Sequence, residues 1–341
     1  MGHKIDLSNY KIRTDLAIEA IGNKEGIRTE FTSIGDIKIT RVNIDENNGK
    51  IIDKKAGNYI TIEFSDITDF DNKEKVKKIF SDELKKLLNI IHIKDNDSVL
   101  VIGLGNDKST PDALGPLAVD NILVTKYLFS LGNVEEGFRE VSAISPGVMG
   151  ETGIETSDLI KSIVNTVKPN LVIVIDALAS QSLERVNQTI QITDSGIHPG
   201  SGIGNKRKEI SSDILNIPVI AIGVPTVVDA VTIVSDTINY MYKHFSYTKE
   251  NMNNPVNRLI SSGVNYLNKN VKIDEHDKSK LFGIVGNLGD DEVKQLIFEV
   301  LSPIGYNLMV TPKEVDFVME KLSDVIGNGI NEALHKQVNK L

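Results

Sequence analysis

The sequence predicts an α/β fold with a mostly parallel central sheet flanked by helices, a small N-terminal β element and C-terminal helices. Three observations predict it. Val99–Gly103, Leu171–Ile175 and Ile217–Ile222 are continuous, β-branched apolar runs, the pattern of strands buried on both faces. Helical stretches lie between and after them, at 114–131, 156–167 and 226–244. Strand alternating with helix along a chain marks a layered α/β architecture.

Taken in chain order, residues 1–24 are polar and mixed, with one short helix expected around Asp15–Ala20. Ile37–Ile44 alternates apolar and polar residues, with one slip at Thr40-Arg41, and Tyr59–Phe64 alternates from Ile60 onward. That period of two reads as half-buried strands. Gly35-Asp36 and Asn47-Asn48-Gly49 supply the turns around them. Residues 73–92 place Val76, Phe80, Leu84, Leu87 and Ile91 at helical spacing. Phe138–Ala143 and Thr189–Thr193 are weaker strands; Val256–Leu267, Asp290–Leu301 and Lys313–Ile326 are expected helices. The expected division is a β-rich element with its helix at 16–92, an α/β core at 93–250 and a helical part at 251–341.

Composition excludes several classes. The chain has 341 residues, 38 basic and 47 acidic, and no cysteine. With no thiol there is no disulfide framework, cysteine zinc site or cysteine nucleophile. A net charge of −9 argues against a large nucleic-acid footprint. No apolar run approaches the roughly 18 residues of a membrane span. The first ten residues carry no apolar signal region, and Asp6 stands where a myristoylation pattern needs Ser or Thr. A cytoplasmic protein is expected.

Chemistry in an open α/β sheet gathers at the carboxyl ends of strands. Behind the apolar runs lie 103–116, 145–153, 176–178, 194–205 and 223–229, which carry several of the glycine clusters. Glycines there either let a ligand approach the backbone or only make tight turns. Gly103-Leu-Gly105 opens a dinucleotide fingerprint, but Lys108 stands where the third glycine belongs. There is no phosphate-binding P-loop, no G-x-S-x-G elbow and no H-E-x-x-H. The histidines (His3, His92, His198, His244, His276 and His335) show no paired metal spacing.

Carboxylates remain. Asp112 and Asp176 each follow a buried strand on the same rim. On neighbouring strands they would lie close enough for one to keep its proton. One could then deprotonate water while the other donates a proton. Asp112 could equally cap the helix that begins near Ala113. An acid ending five apolar residues, as Asp176 does, is unusual without a partner or a task. Asp194-Ser195-Gly196 matches the triplet of two-copy, all-β aspartic proteases, but one copy in an α/β setting reads as a turn. Asp112, Asp176 and His198 form an alternative metal ligand set, against which stands a loop histidine bonded to backbone.

Five motifs in order carry a resemblance: 103–116, 146–156, 175–179, 196–205 and 222–230. With them the chain closely resembles the germination protease (spore protease) family of spore-forming Firmicutes, over nearly its whole length. The resemblance implies an aspartic endopeptidase that degrades small acid-soluble spore proteins during germination, with Asp112 and Asp176 as the catalytic pair. It implies a fold similar to hydrogenase maturation proteases, no required metal or other cofactor, a homotetramer, no membrane or direct nucleic-acid partner, and a place in the forespore or spore core. Gly103, Asn106, Gly147, Gly150 and Gly202 would shape the cleft that binds substrate backbone. It further implies a zymogen with a propeptide at residues 1–15, self-cleaved at Asp15–Leu16, because Asp15-Leu16-Ala17 supplies the acidic, hydrophobic, small order such enzymes prefer. A self-cleaved segment is expected to be extended and exposed.

Overall fold

The computed structural model describes residues 14–22, 26–132, 134–200, 208–251, 275–301 and 308–338. The chain divides into two compact units, Arg13–Val227 with Thr311–Leu341, and Val228–Val310. In chain order the elements are α1 (Ala17–Ile21), β1 (Thr29–Ile34), β2 (Ile37–Ile44), α2 (Glu46–Ile52), β3 (Gly57–Glu63), α3 (Phe70–Ile90), β4 (Val99–Gly103), α4 (Leu114–Asp120) and α5 (Lys126–Leu131). They continue with β5 (Val141–Ile144), α6 (Met149–Thr152), α7 (Thr156–Val167), β6 (Leu171–Ser180), β7 (Thr189–Thr193), α8 (Ser212–Leu215) and β8 (Val219–Asp229). Last come α9 (Ala230–Asn251), α10 (Glu275–Phe282), α11 (Asp290–Leu301), β9 (Met309–Val310) and α12 (Val315–Leu334). The helix expected at Val256–Leu267 lies outside the described residues.

The sheet corrects the expectation of a mostly parallel one. Its strand order is β1-β2-β3-β7-β8-β6-β4-β5, with β9 on β8. β4 pairs in parallel with β5 and with β6. The pairs β1–β2, β2–β3, β3–β7, β7–β8 and β8–β9 are antiparallel. The sheet is therefore mixed, with antiparallel pairing in the majority. The physical reason is that continuous apolar runs report burial on both faces and say nothing of strand direction. The N-terminal strands also join this same sheet through β3 on β7.

Burial on two faces is visible within single strands. Val99 and Val101 of β4 face one core with α3, α4 and α12, where Phe80, Leu84, Leu114 and Met319 are fully buried. Leu100 and Ile102, the alternate residues, face a second core with Ile160 and Val164 of α7. A third cluster joins Ala17 and Ile21 of α1 to Val42, Ile44 and Tyr59. In the smaller unit, Val231 packs with Val293, Ile297 and Phe298. Among the described residues no helix is long and apolar enough to cross a membrane.

Several elements differ from their expected bounds: β6 runs past Ile175 to Ser180, α9 starts at Ala230 and α12 runs on to Leu334. Two further differences have a visible cause. The helix expected over 114–131 is broken between α4 and α5. The Asn331 side chain accepts from the Leu123 N–H at 2.8 Å and donates to the Asn121 carbonyl at 2.8 Å, taking up backbone groups that a continuous helix would pair internally. β8 runs on to Asp229, through Gly223 and Pro225, where a loop and the start of a helix were expected. There Gln191 pairs with Gly223 across β7–β8, and the Pro225 carbonyl accepts from Asn187 at 2.7 Å.

Candidate active site

The parallel strands set the frame. In the β4–β6 register Gly103 faces Ile175, and the Leu104 N–H bonds the Ile175 carbonyl at 2.8 Å, so the chain beyond β4 leaves the sheet level with Asp176. Here the backbone must turn sharply. Gly105 has φ +116°, and a Cβ on it would collide with the carbonyl oxygen of Asp112. The loop then closes on itself. The Asn106 N–H donates to the Asp112 carbonyl at 3.0 Å, and the Asp112 N–H to the Ser109 carbonyl at 2.7 Å. The Asn106 side chain accepts from the Lys108 N–H at 2.9 Å.

Asp112 ends a turn of 3-10 helix, Thr110–Asp112, with Pro111 inside it. The N-cap of α4 is Ala113, so Asp112 does not occupy the capping position. It is half-buried, and its turn packs against β6. Asp176 lies within β6, 5% exposed, where its carboxylate accepts from the Ala177 N–H at 3.0 Å. The fold thus brings the turn that bears Asp112 against the strand that bears Asp176. Two carboxylates can divide a proton and work as acid and base only where their oxygens approach within a few ångström.

The other expected residues fall out differently. Gly103 and Gly115 meet backbone to backbone, since a Cβ on either would strike the other's segment. This close approach seats α4 on β4. Asn106 braces the loop described above. Gly147 and Gly150 lie in and beside the turn after β5, where the Gly147 carbonyl accepts from the Thr156 hydroxyl at 3.4 Å. Gly202 lies outside the described residues. His198 is 3.6 Å from Glu209, on the loop after β7. Among the described residues no three His, Asp or Glu side chains converge as a metal site, so Asp112, Asp176 and His198 do not form one. Asp194 accepts from the Asn58 backbone and side chain at 2.7 and 2.6 Å, which fixes the Asp194-Ser195 bend.

The residues around Asp15–Leu16 are extended but not exposed, contrary to expectation. Leu16 has φ −78° and ψ 126°, and Leu16 and Ala17 are fully buried. Asp15 and Ala179 bond reciprocally: the Asp15 N–H donates to the Ala179 carbonyl at 3.1 Å, and the Ala179 N–H to the Asp15 carboxylate at 2.9 Å. The Gln191 side chain straddles the Asp15–Leu16 bond. Its Nε2 donates to the Asp15 carbonyl at 3.2 Å and its Oε1 accepts from the Ala17 N–H at 2.7 Å. Lys54 donates to the Thr14 carbonyl at 2.7 Å. Burial pushes the Lys54 ammonium pKa down against the pull of Asp15, Asp53 and Glu19. Ala179 is three residues beyond Asp176 on β6, about 10 Å along a strand. The bond is thus docked on β6 three residues beyond Asp176.

Thr226, Gly105, Gln191 and Lys54 escaped the reading of the sequence. Thr226 stands where the pattern predicts a loop and then a helix. Gln191 and Lys54 act at long sequence separation, which no local pattern encodes. Gly105 was visible only as part of a failed nucleotide motif.

Comparison with known proteins gives the family. Germination proteases match residues 9–341. The germination protease of Bacillus licheniformis is 51% identical over 99% of this chain and 97% of its own. That of a Geobacillus strain is 50% identical over 100% and 98%, and that of Bacillus subtilis 48% identical over 99% and 97%. A solved NiFe hydrogenase maturation protease from Thermococcus kodakarensis aligns at TM-score 0.26 and 18% identity, over 38% of this chain and 74% of that one. That likeness is too faint to bear on the fold. With its full length matched at about half identity, the chain belongs to the germination protease family.

Proposed function

We propose that this germination protease opens peptide bonds with Asp112 and Asp176 as its acid–base pair. The observation that carries the reading is the packing of the Asp112 turn against β6, the strand that bears the buried Asp176. The ionised carboxylate takes a proton from water, whose oxygen attacks the peptide carbonyl while the protonated partner donates to the carbonyl oxygen. Collapse breaks the C–N bond: the proton taken from water passes to the leaving amine, and the proton given to the carbonyl oxygen returns to its carboxylate. The products are a carboxylic acid and an amine. Substrates in this reading are small acid-soluble spore proteins, met in the spore core, and the working form is a homotetramer.

The same pair removes residues 1–15 by cutting Asp15–Leu16. Because that bond is docked on Ala179 and Gln191, away from Asp176, the segment must leave its seat before it is cut. Intact mass of the full-length chain at mildly acidic pH tests the reading. Wild type should lose residues 1–15, whereas Asp112→Asn and Asp176→Asn should stay whole while folding normally. An Asp176→Asn protein that still processes itself would sink the assignment. Retained cleavage in chelator separates it from a metal-dependent enzyme.

A further inference from the structure

We propose that Thr226 is the positioning residue for Asp112, an inference that rests on the reading of Asp112 as one of the working carboxylates. Thr226 lies in β8, which neighbours β6 in the sheet, and it is 1% exposed. It interrupts an otherwise apolar stretch, with Val224 and Val228 fully buried near it. A hydroxyl there carries a desolvation cost that a valine would avoid, unless it is bonded. It is bonded: Oγ1 donates to the Pro111 carbonyl at 2.6 Å, one residue before Asp112.

The direction of that bond matters. The loop's other backbone bonds, Asn106 to Asp112, Ser109 to Asn106, Asp112 to Ser109 and Ala113 to Thr110, close within the loop. They fix its shape. Its start is tied to the sheet by the Leu104 N–H on the Ile175 carbonyl, and its Asp112 end by the Pro111 carbonyl, which reaches out to β8. Thr226 is itself anchored, since its carbonyl accepts from the Thr311 hydroxyl at 2.9 Å. The chain Thr311–Thr226–Pro111 therefore holds Asp112 beside β6 from outside the loop. Pro111 stiffens the last link, because its ring leaves φ little freedom.

The test compares wild type, Thr226→Val, Thr226→Ser and Asp112→Asn as mature chains that begin at Leu16, so that none depends on self-processing, by kinetics on a peptide carrying this chain's residues 10–21. A carboxylate misplaced by about 1 Å costs on the order of 100-fold in rate. Thr226→Val should lower kcat by that order with KM little changed. It should also narrow the pH–rate bell, because carboxylates moved apart couple less and their pKa values draw together. Thr226→Ser keeps the donor and should return kcat to within a few-fold of wild type. Wild-type kcat in Thr226→Val beside an inactive Asp112→Asn would overturn this inference and leave the catalytic pair standing. Equal losses in the Val and Ser variants, or a loss that follows the thermal midpoint, would reduce Thr226 to a part of the fold. A fully active Asp112→Asn, or a wild type inert toward the peptide, would overturn the underlying reading and this one with it.

Discussion

Gly103 and Gly115 meet with no side chain between strand and helix, and that contact separates two roles for Gly103. If it seats α4, Gly103→Ala should destabilise the chain by about 3 kcal/mol, the upper range for an overpacked core, and leave KM of the folded fraction unchanged. Urea unfolding beside peptide kinetics would show it, and a raised KM at full stability would return Gly103 to the substrate cleft. Gly105 carries a different constraint. Alanine there needs both a strained φ and the space taken by the Asp112 carbonyl, so Gly105→Ala should lower kcat by on the order of 100-fold through displacement of Asp112, read in the same assay. At this scale the sequence was partly legible. Asp176 stood out because an acid in a buried run needs a reason. Asp112 was equally readable as a helix cap until Ala113 was seen in that position. Thr226 was hidden because a threonine among valines is ordinary in a strand, and its bond to Pro111 spans 115 residues.

Whole elements were read best where one periodicity ruled. β2, β4, β7, α7 and α11 have the bounds their patterns predicted. α4 and α5 were merged because the break is made by Asn331, which no local window contains. Ties between elements follow the same logic. Arg41 on β2 forks onto Glu83 of α3 at 2.6 and 2.7 Å, and Glu83 is 2% exposed. Burial works to raise the Glu83 pKa, yet Arg41 and Lys86 hold it below its usual range. Arg41→Ala strands a buried carboxylate with Lys86 alone and should cost about 3 kcal/mol in urea unfolding, the lower range for a broken buried pair. The docked N-terminal segment is held more lightly. Gln191→Ala removes two hydrogen bonds worth about 1 kcal/mol each. Self-processing that waits on undocking should then run faster, by roughly tenfold or more, in a mass-spectrometric time course. A slower variant would mean that Gln191 presents the bond rather than stores it.

The chain as a whole is tied by contacts far apart in sequence, and one of them senses pH. His335, at the end of α12, is fully buried and accepts at Nδ1 from the Arg139 N–H at 3.1 Å. Burial pushes its pKa down to about 4, with Arg139 adding to the fall. The folded state thus prefers neutral imidazole, while the unfolded chain takes its proton near the ordinary value of about 6.5. Stability from this group is complete above that value and is lost as pH falls toward 4, by about 3 kcal/mol in total. Urea midpoints at pH 7 and pH 4.5 should differ less in His335→Gln than in wild type. Family and layered class were legible at this scale, since five ordered motifs and alternating strands and helices survive any rearrangement of the sheet. Strand direction was not, because β8 and β6 are equally apolar whichever way their neighbours run. The burial of Leu16 and Ala17 in the third core has a last consequence. A chain cut after Asp15, once Leu16 returns to its seat, would begin with its first side chain inside the protein. Exopeptidases would find no dangling end to trim, so maturation would leave one uniform terminus rather than a ragged series.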